Sequence, residues 1–222
     1  MKMRFVLVCG LILSVVTSKA QTAFEEISAD PNKSASVYYA YPEISEQYTL
    51  PPEGYTPFYI SHYGRHGSRY LISDSEYQTV MEILDKADAV GFLTDKGKSV
   101  RSRLEVVWRD AEGLGGQLTP LGYRQHRSIS ERMFYNFPDV FKGKRKISAC
   151  STVVIRCALS MATFCETLKG LNPELQFTYG SGERYMRYLN YWNENAREFT
   201  SDESDWRKDY LSFVESIFIR KD

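Results

Sequence analysis

The sequence predicts an α/β domain with a mostly parallel sheet, and three observations carry that prediction. Short apolar runs bounded by turn residues at 56–62, 146–151 and 175–179 read as strands. Longer segments with apolar residues every three or four positions read as helices between them. The order strand, helices, strand, helix, strand implies crossover connections, which join parallel neighbours.

Residues 21–55 are polar and carry Pro31, Pro42, Pro51 and Pro52, so an extended N-terminal arm is expected there. Thr56-Pro57-Phe58-Tyr59-Ile60-Ser61-His62 reads as a buried strand running into Tyr63-Gly64-Arg65-His66-Gly67-Ser68-Arg69. Gly64 and Gly67 mark a loop that bends tightly or lets a ligand approach the backbone. Segment 75–90 places Val80, Ile83, Leu84 and Ala87 on one face and stops at Gly91, which predicts a helix. A second helix is expected from 94 to about 112, presenting Val100, Leu104, Val107 and Trp108, with 113–116 breaking it. A third has Thr119 as N-cap and Pro120 at the first helical position, and runs to about 134. Strand 146–151, a helix from about 155 to 169 closed by Gly170, and strand 175–179 follow. Beyond Gly182 the pattern is aromatic and charged, with helices expected at about 183–197 and 203–218.

The first twenty residues stand apart from this scheme. Lys2 and Arg4 precede the apolar run 5–16, and Ser18 and Ala20 occupy the −3 and −1 positions of a cleavage site. That predicts a signal peptide at 1–20 and an exported protein, periplasmic or secreted. A spanning helix needs about 20 apolar residues, so an uncleaved anchor is the weaker reading and no stable membrane span is expected after cleavage. Cys9 lacks the small residues before it that lipid attachment requires. The expected organisation is then signal peptide 1–20, arm 21–55, α/β domain 56–181 and helical segment 182–222.

Composition excludes several classes. A hydrophobic fraction of 43% and a charged fraction of 25% are those of a packed globular chain. Cleavage would remove Lys2, Arg4 and Lys19 but no acid, so 28 basic residues become 25 against 28 acidic ones, a net charge of −3. A nucleic-acid partner is not expected, because binding a polyanion backbone calls for a net basic face. Three cysteines remain after cleavage, Cys150, Cys157 and Cys165, so at least one thiol is unpaired. The helical apolar pattern around Cys157 and Cys165 favours buried free thiols, while a Cys150–Cys157 bridge is the alternative. No CxxC pair supports a metal site.

The chemistry concentrates in Arg65-His66-Gly67-Ser68-Arg69. A neutral imidazole is a nucleophile for phosphorus, and guanidinium groups fork onto phosphate oxygens and stabilise the charge of the transition state. Gly67 removes a Cβ that would crowd the phosphate. Such a site needs no metal or other cofactor. The spacing His62-x-x-x-His66 is not read as zinc, because Gly64 and a preceding strand keep the two off a common helical face.

These residues resemble the RHGxR signature of the histidine acid phosphatases, in particular their multiple inositol-polyphosphate phosphatase branch. Gly116-Gln117-Leu118-Thr119-Pro120-Leu121-Gly122-Tyr123-Arg124-Gln125-His126 is similar to the family's GxLTxxGxxQH segment. Segment 151–164 is similar to the stretch that supplies a third phosphate-binding arginine, here Arg156. Tyr70 is kept, and Leu71 stands where the branch has proline. The resemblance covers about 59–179 and implies a three-layer histidine-phosphatase-like domain, with 182–222 starting a helical cap. It implies a phosphohistidine at His66, a clamp of Arg65, Arg69 and Arg156, and small phosphate monoesters as substrates, inositol hexakisphosphate and lower inositol phosphates leading. His126 is read as structural first, with a place in the pocket as the alternative.

Family members are longer and carry a second histidine in a His-Ala-Glu or His-Asp motif, whose acid protonates the leaving alcohol. The histidines here are His62, His66 and His126, all before Arg156. The resemblance therefore implies a C-terminally truncated member with impaired activity, since general acid catalysis contributes about 10²–10⁴-fold. A noncatalytic phosphate-binding remnant is one competing reading. A phosphoglycerate-mutase-like enzyme is another, and Arg69, the export signal and the 118–126 segment stand against it. Lys142, Lys144, Arg145 and Lys146 read as a solvated basic loop, with Lys98, Arg101 and Arg103 as weak guides for a polyphosphate.

Overall fold

A computed structural model describes residues 23–44, 48–189 and 213–219. The stretch 1–20 expected to be a signal peptide, most of the helix expected at 203–218 and the second half of that expected at 183–197 lie outside them. Contacts divide the chain into two units, 1–42 and 43–222. The described residues of the first unit fall within the stretch 21–55 expected to be an extended arm, yet they hold helix α1 (Ala23–Ala29) and a 3₁₀ helix (Pro31–Tyr38). Glu25 and Glu26 favour the positive end of α1, and Pro31 suits a first helical position because its missing N–H has no partner to lose.

The second unit contains α2 (Asp74–Ala89), α3 (Asp95–Ala111), α4 (Pro120–Asn136), α5 (Pro138–Phe141), β1 (Lys146–Ser151), α6 (Ile155–Leu171), β2 (Gln176–Ser181) and α7 (Glu183–Leu189). Strands β1 and β2 pair in parallel, from Lys146 beside Gln176 to Ser151 beside Ser181, with α6 as the crossover. This is an α/β architecture, helix-rich with a small parallel sheet. Among the described residues no helix is long and apolar enough to cross a membrane.

Local chemistry explains the helix boundaries. Ser73 and Glu76 form a capping box at α2. Thr94 and Thr119 cap α3 and α4 by accepting from the N–H groups of Gly97 and Gly122, each at 3.1 Å, with Pro120 opening α4. Gly91, expected as the stop of the first long helix, adopts φ 72°, a left-handed conformation that favours glycine. Gly170 lies inside α6, not beyond it.

Two apolar clusters hold the second unit. Leu84, Leu93 and Ile217 form one, joined by Ala87, Val100, Leu104 and Phe218 between α2, α3 and the 213–219 segment. Arg101 donates to Asp85 at 2.6 Å and lies 3.7 Å from Asp88, so it ties α2 to α3, not to a polyphosphate. Phe141, Leu168 and Leu175 form the other, where Phe134, Phe137, Phe164, Ile147 and Phe177 seat α4, α5 and α6 beside the sheet.

The strand expected at 56–62 is not formed. Phe58 is 91% and Tyr59 72% exposed, and among the described residues no strand pairs with this stretch. Ile60 does reach the Phe141–Leu168–Leu175 cluster, and the His62 ring stacks on Phe164 with centroids 5.2 Å apart. An apolar run signals the wish to bury side chains; a strand also needs a neighbour to take its backbone hydrogen bonds. Cys150, Cys157 and Cys165 are all free thiols, and the Cys150–Cys157 bridge is not made.

Candidate active site

The loop 64–72 is built against the turn and helix start at 116–122. Arg69 and Leu118 form an antiparallel bridge. Tyr70 donates its N–H to Gln117 at 3.0 Å, and Gly116 donates to Leu71 at 2.7 Å. The Ser68 carbonyl accepts from both the N–H and the hydroxyl of Thr119, at 2.9 and 3.0 Å. Thr119 therefore caps α4 and holds the loop at once. The approach is closest where Gly67 meets Gly122. A Cβ on Gly67 would lie 2.5 Å from the Gly122 carbonyl oxygen, so both positions require glycine to let two backbones touch.

Two buried side chains pin the loop from the helices. Gly67 donates its N–H to Ser160 Oγ at 3.1 Å, and Ser68 donates to Gln125 Oε1 at 2.8 Å. Neither was singled out from sequence. For Ser160 the signal was a hydroxyl set four residues after Arg156, one helical turn on; for Gln125 it was an amide in the third helix, one residue before His126.

His66 is partly buried, and its Nδ1 lies 2.8 Å from the Gly67 carbonyl oxygen. A carbonyl only accepts, so Nδ1 carries the hydrogen and Nε2 keeps its lone pair. Burial lowers the His66 pKa below the usual 6.5; the Gly67 hydrogen bond opposes this, and the charges of Arg156, Arg65 and Arg69 lower it further. The neutral ring is therefore the form present at neutral pH. The three arginines singled out from sequence thus converge electrostatically on the one histidine.

Arg156 sits in the first turn of α6, where its charge opposes the helix dipole. Val154, the N-cap, offers no side-chain bond to the free N–H groups. Arg156 Nε and Thr152 Oγ1, next to it in the chain's turn after β1, are buried without hydrogen-bond partners. A helix N-terminus of this kind, with a guanidinium beside it, is suited to an anion. Arg69 donates from Nη1 to the Tyr70 carbonyl at 2.7 Å, which fixes its side chain along the loop.

His126 is 6% exposed and hydrogen-bonds the Arg65 backbone. Burial, then the charges of His62 and His66, push its pKa down to about 4. A base this weak stays neutral and holds the loop in place. Its Nδ1 and Gln125 Nε2 are further buried atoms without partners. Among the described residues no cluster of His, Cys, Asp or Glu could hold a metal ion.

No family model matches the chain, and no curated protein matches it. Among solved structures it is similar to a multiple inositol polyphosphate phosphatase of Bifidobacterium longum in three states. The phosphate complex aligns at 24% identity and a TM-score of 0.46, covering 57% of this chain and 26% of that one. The inositol hexasulfate complex aligns at 24% and 0.46, covering 62% and 29%. The apo form aligns at 24% and 0.47, covering 58% and 26%. The chain thus spans less than a third of the length of those proteins. What its own residues assemble is a neutral imidazole under the field of three guanidinium groups, beside an uncapped helix N-terminus.

Proposed function

We propose that the chain carries the nucleophile and phosphate clamp of an exported histidine-type phosphatase acting on phosphate monoesters, with inositol polyphosphates as the substrate class. The observation that carries this reading is the convergence of Arg65, Arg69 and Arg156 on a His66 whose Nε2 holds a lone pair. Nε2 attacks phosphorus, the P–O bond to the alcohol breaks, and the alkoxide leaves with a proton from a donor acid. Water then attacks the phosphohistidine, the P–N bond breaks, and inorganic phosphate departs. Arginines hold the transferring group in line and balance its charge throughout, so the step requires no metal. The RHGxR loop and the 116–126 and 151–164 segments support the same assignment by their resemblance to the inositol-polyphosphate phosphatases.

A second reading is a noncatalytic phosphate binder. The charged groups acting on His66 among the described residues are all guanidinium, so the acid that would protonate the alcohol is not among them. One experiment separates the two. The purified chain is mixed with inositol hexakisphosphate or p-nitrophenyl phosphate, released phosphate is measured, and acid-labile phosphohistidine is sought by mass spectrometry. Turnover lost in His66→Ala, with label on His66, supports the enzyme. Phosphate binding without label or turnover supports the binder. Neither binding nor turnover refutes both.

A further inference from the structure

We propose that Ser160 and Gln125 are positioning residues that hold the two amides after His66, and so aim the imidazole at the bound phosphate. The inference rests on the phosphatase reading for its catalytic consequence, but its structural part stands separately. Ser160 is 3% and Gln125 7% exposed, and they receive the N–H groups of Gly67 and Ser68 at 3.1 and 2.8 Å. Both amides therefore point into the protein, and the carbonyl between them turns the other way, where it receives His66 Nδ1–H at 2.8 Å. The ring is thus oriented by a peptide unit that two helices hold from behind.

The placement of Ser160 adds a second role. It lies on α6 four residues after Arg156, one helical turn away on the same face. One helix therefore presents both the third guanidinium and the pin on the nucleophile loop. The distance between imidazole and Arg156 is then set by α6 as a rigid rod, not by the loop. Gln125 holds the loop in the same way from α4, through its Oε1, while its Nε2 is buried without a partner. Losing a pin leaves a buried N–H unpaired, and the loop relieves that by moving the peptide that orients His66.

The test reads the histidine as well as the rate. In wild-type protein, the amides of Gly67 and Ser68 should exchange with solvent at least about tenfold more slowly than in an unfolded chain. Ring resonances of His66 should titrate below 6.5, because of its burial first and then the charges of Arg156, Arg65 and Arg69, with His62 and His126 nearby. Ser160→Ala should lower kcat about 10–100-fold with KM changed less than about threefold, because misplacement by about 1 Å costs on that order. The His66 midpoint should rise toward 6.5 as the ring becomes more exposed and drifts from the guanidinium groups. Ser160→Thr keeps the hydroxyl and should restore most of both effects, and Gln125→Leu should act like Ser160→Ala. Unprotected Gly67 and Ser68 amides, or a Ser160→Ala protein with unchanged His66 titration and kcat, overturns the proposal. A wild-type chain without turnover refutes the phosphatase reading alone, because exchange and titration do not need a reaction.

Discussion

Replacing Gly122 by alanine should destabilise the protein, although the residue sits in a helix where alanine is ordinarily favoured. Helix propensity alone would make Gly122→Ala stabilising by about 1 kcal/mol. The structure reverses the sign. A Cβ at 122 would press on the Ser68 carbonyl oxygen well inside contact distance, and would lie 3.0 Å from Ser68 N and 3.1 Å from Leu118 Cδ2. Two of these neighbours are backbone, so the 67–69 loop must retreat by roughly 1 Å; overpacking of this kind costs about 1–3 kcal/mol. The retreat stretches the two hydrogen bonds from Thr119 to Ser68, at 2.9 and 3.0 Å, worth about 1 kcal/mol each. The net loss is about 2–4 kcal/mol after the gain in propensity. For a domain of this size that lowers Tm by roughly 5–15 °C, read by circular dichroism melts and urea titration. Gly170→Ala is the matched control. That glycine lies inside α6 with open space around its missing Cβ, so its variant should gain about 0.5–1 kcal/mol. If Gly122→Ala melts at or above the wild-type temperature, the loop does not touch α4 as described and the site geometry is wrong.

Other consequences can be measured independently. His126 is held to a pKa of about 4 in the folded protein against 6.5 unfolded, so the unfolded chain binds the extra proton between those values. Stability is therefore complete above pH 6.5 and falls as pH drops toward 4, by at most about 3 kcal/mol; urea unfolding across that range should show it, and His126→Gln should flatten the slope. The Asp74 carboxylate accepts from Gly113 N–H at 2.9 Å and Gly115 N–H at 3.2 Å, clipping the 113–116 turn to α2. Asp74→Ala should cost about 2 kcal/mol, and Asp74→Asn less, in thermal melts. Burial pushes the Cys165 thiol up to about 11, whereas Cys150 is exposed. Alkylation at pH 8 followed by mass spectrometry should label Cys150 and leave Cys165 unmodified until denaturant is added; prompt labelling of Cys165 contradicts its burial.

Helix boundaries were legible in the residues because capping is local. Thr94, Thr119 and Pro120 act within one turn of themselves, so their identity almost dictates where α3 and α4 begin. The crossover from β1 through α6 to β2 was equally readable, since apolar period and length separate its parts. The grouping of Arg65, His66 and Arg69 was also visible, because they lie within five residues of the chain.

What adjacency cannot supply, the tertiary structure decided. Segment 56–62 has the composition of a strand and is not one, because ladder partners come from elsewhere in the chain. Ser160 and Gln125 look like unremarkable helix residues until the loop's N–H groups arrive at their oxygens. Arg156 lies ninety positions from His66 in sequence, yet its charge falls on that ring. Local signals determine elements because their energies depend on neighbours a turn away; a site depends on groups that only packing brings within reach of one another.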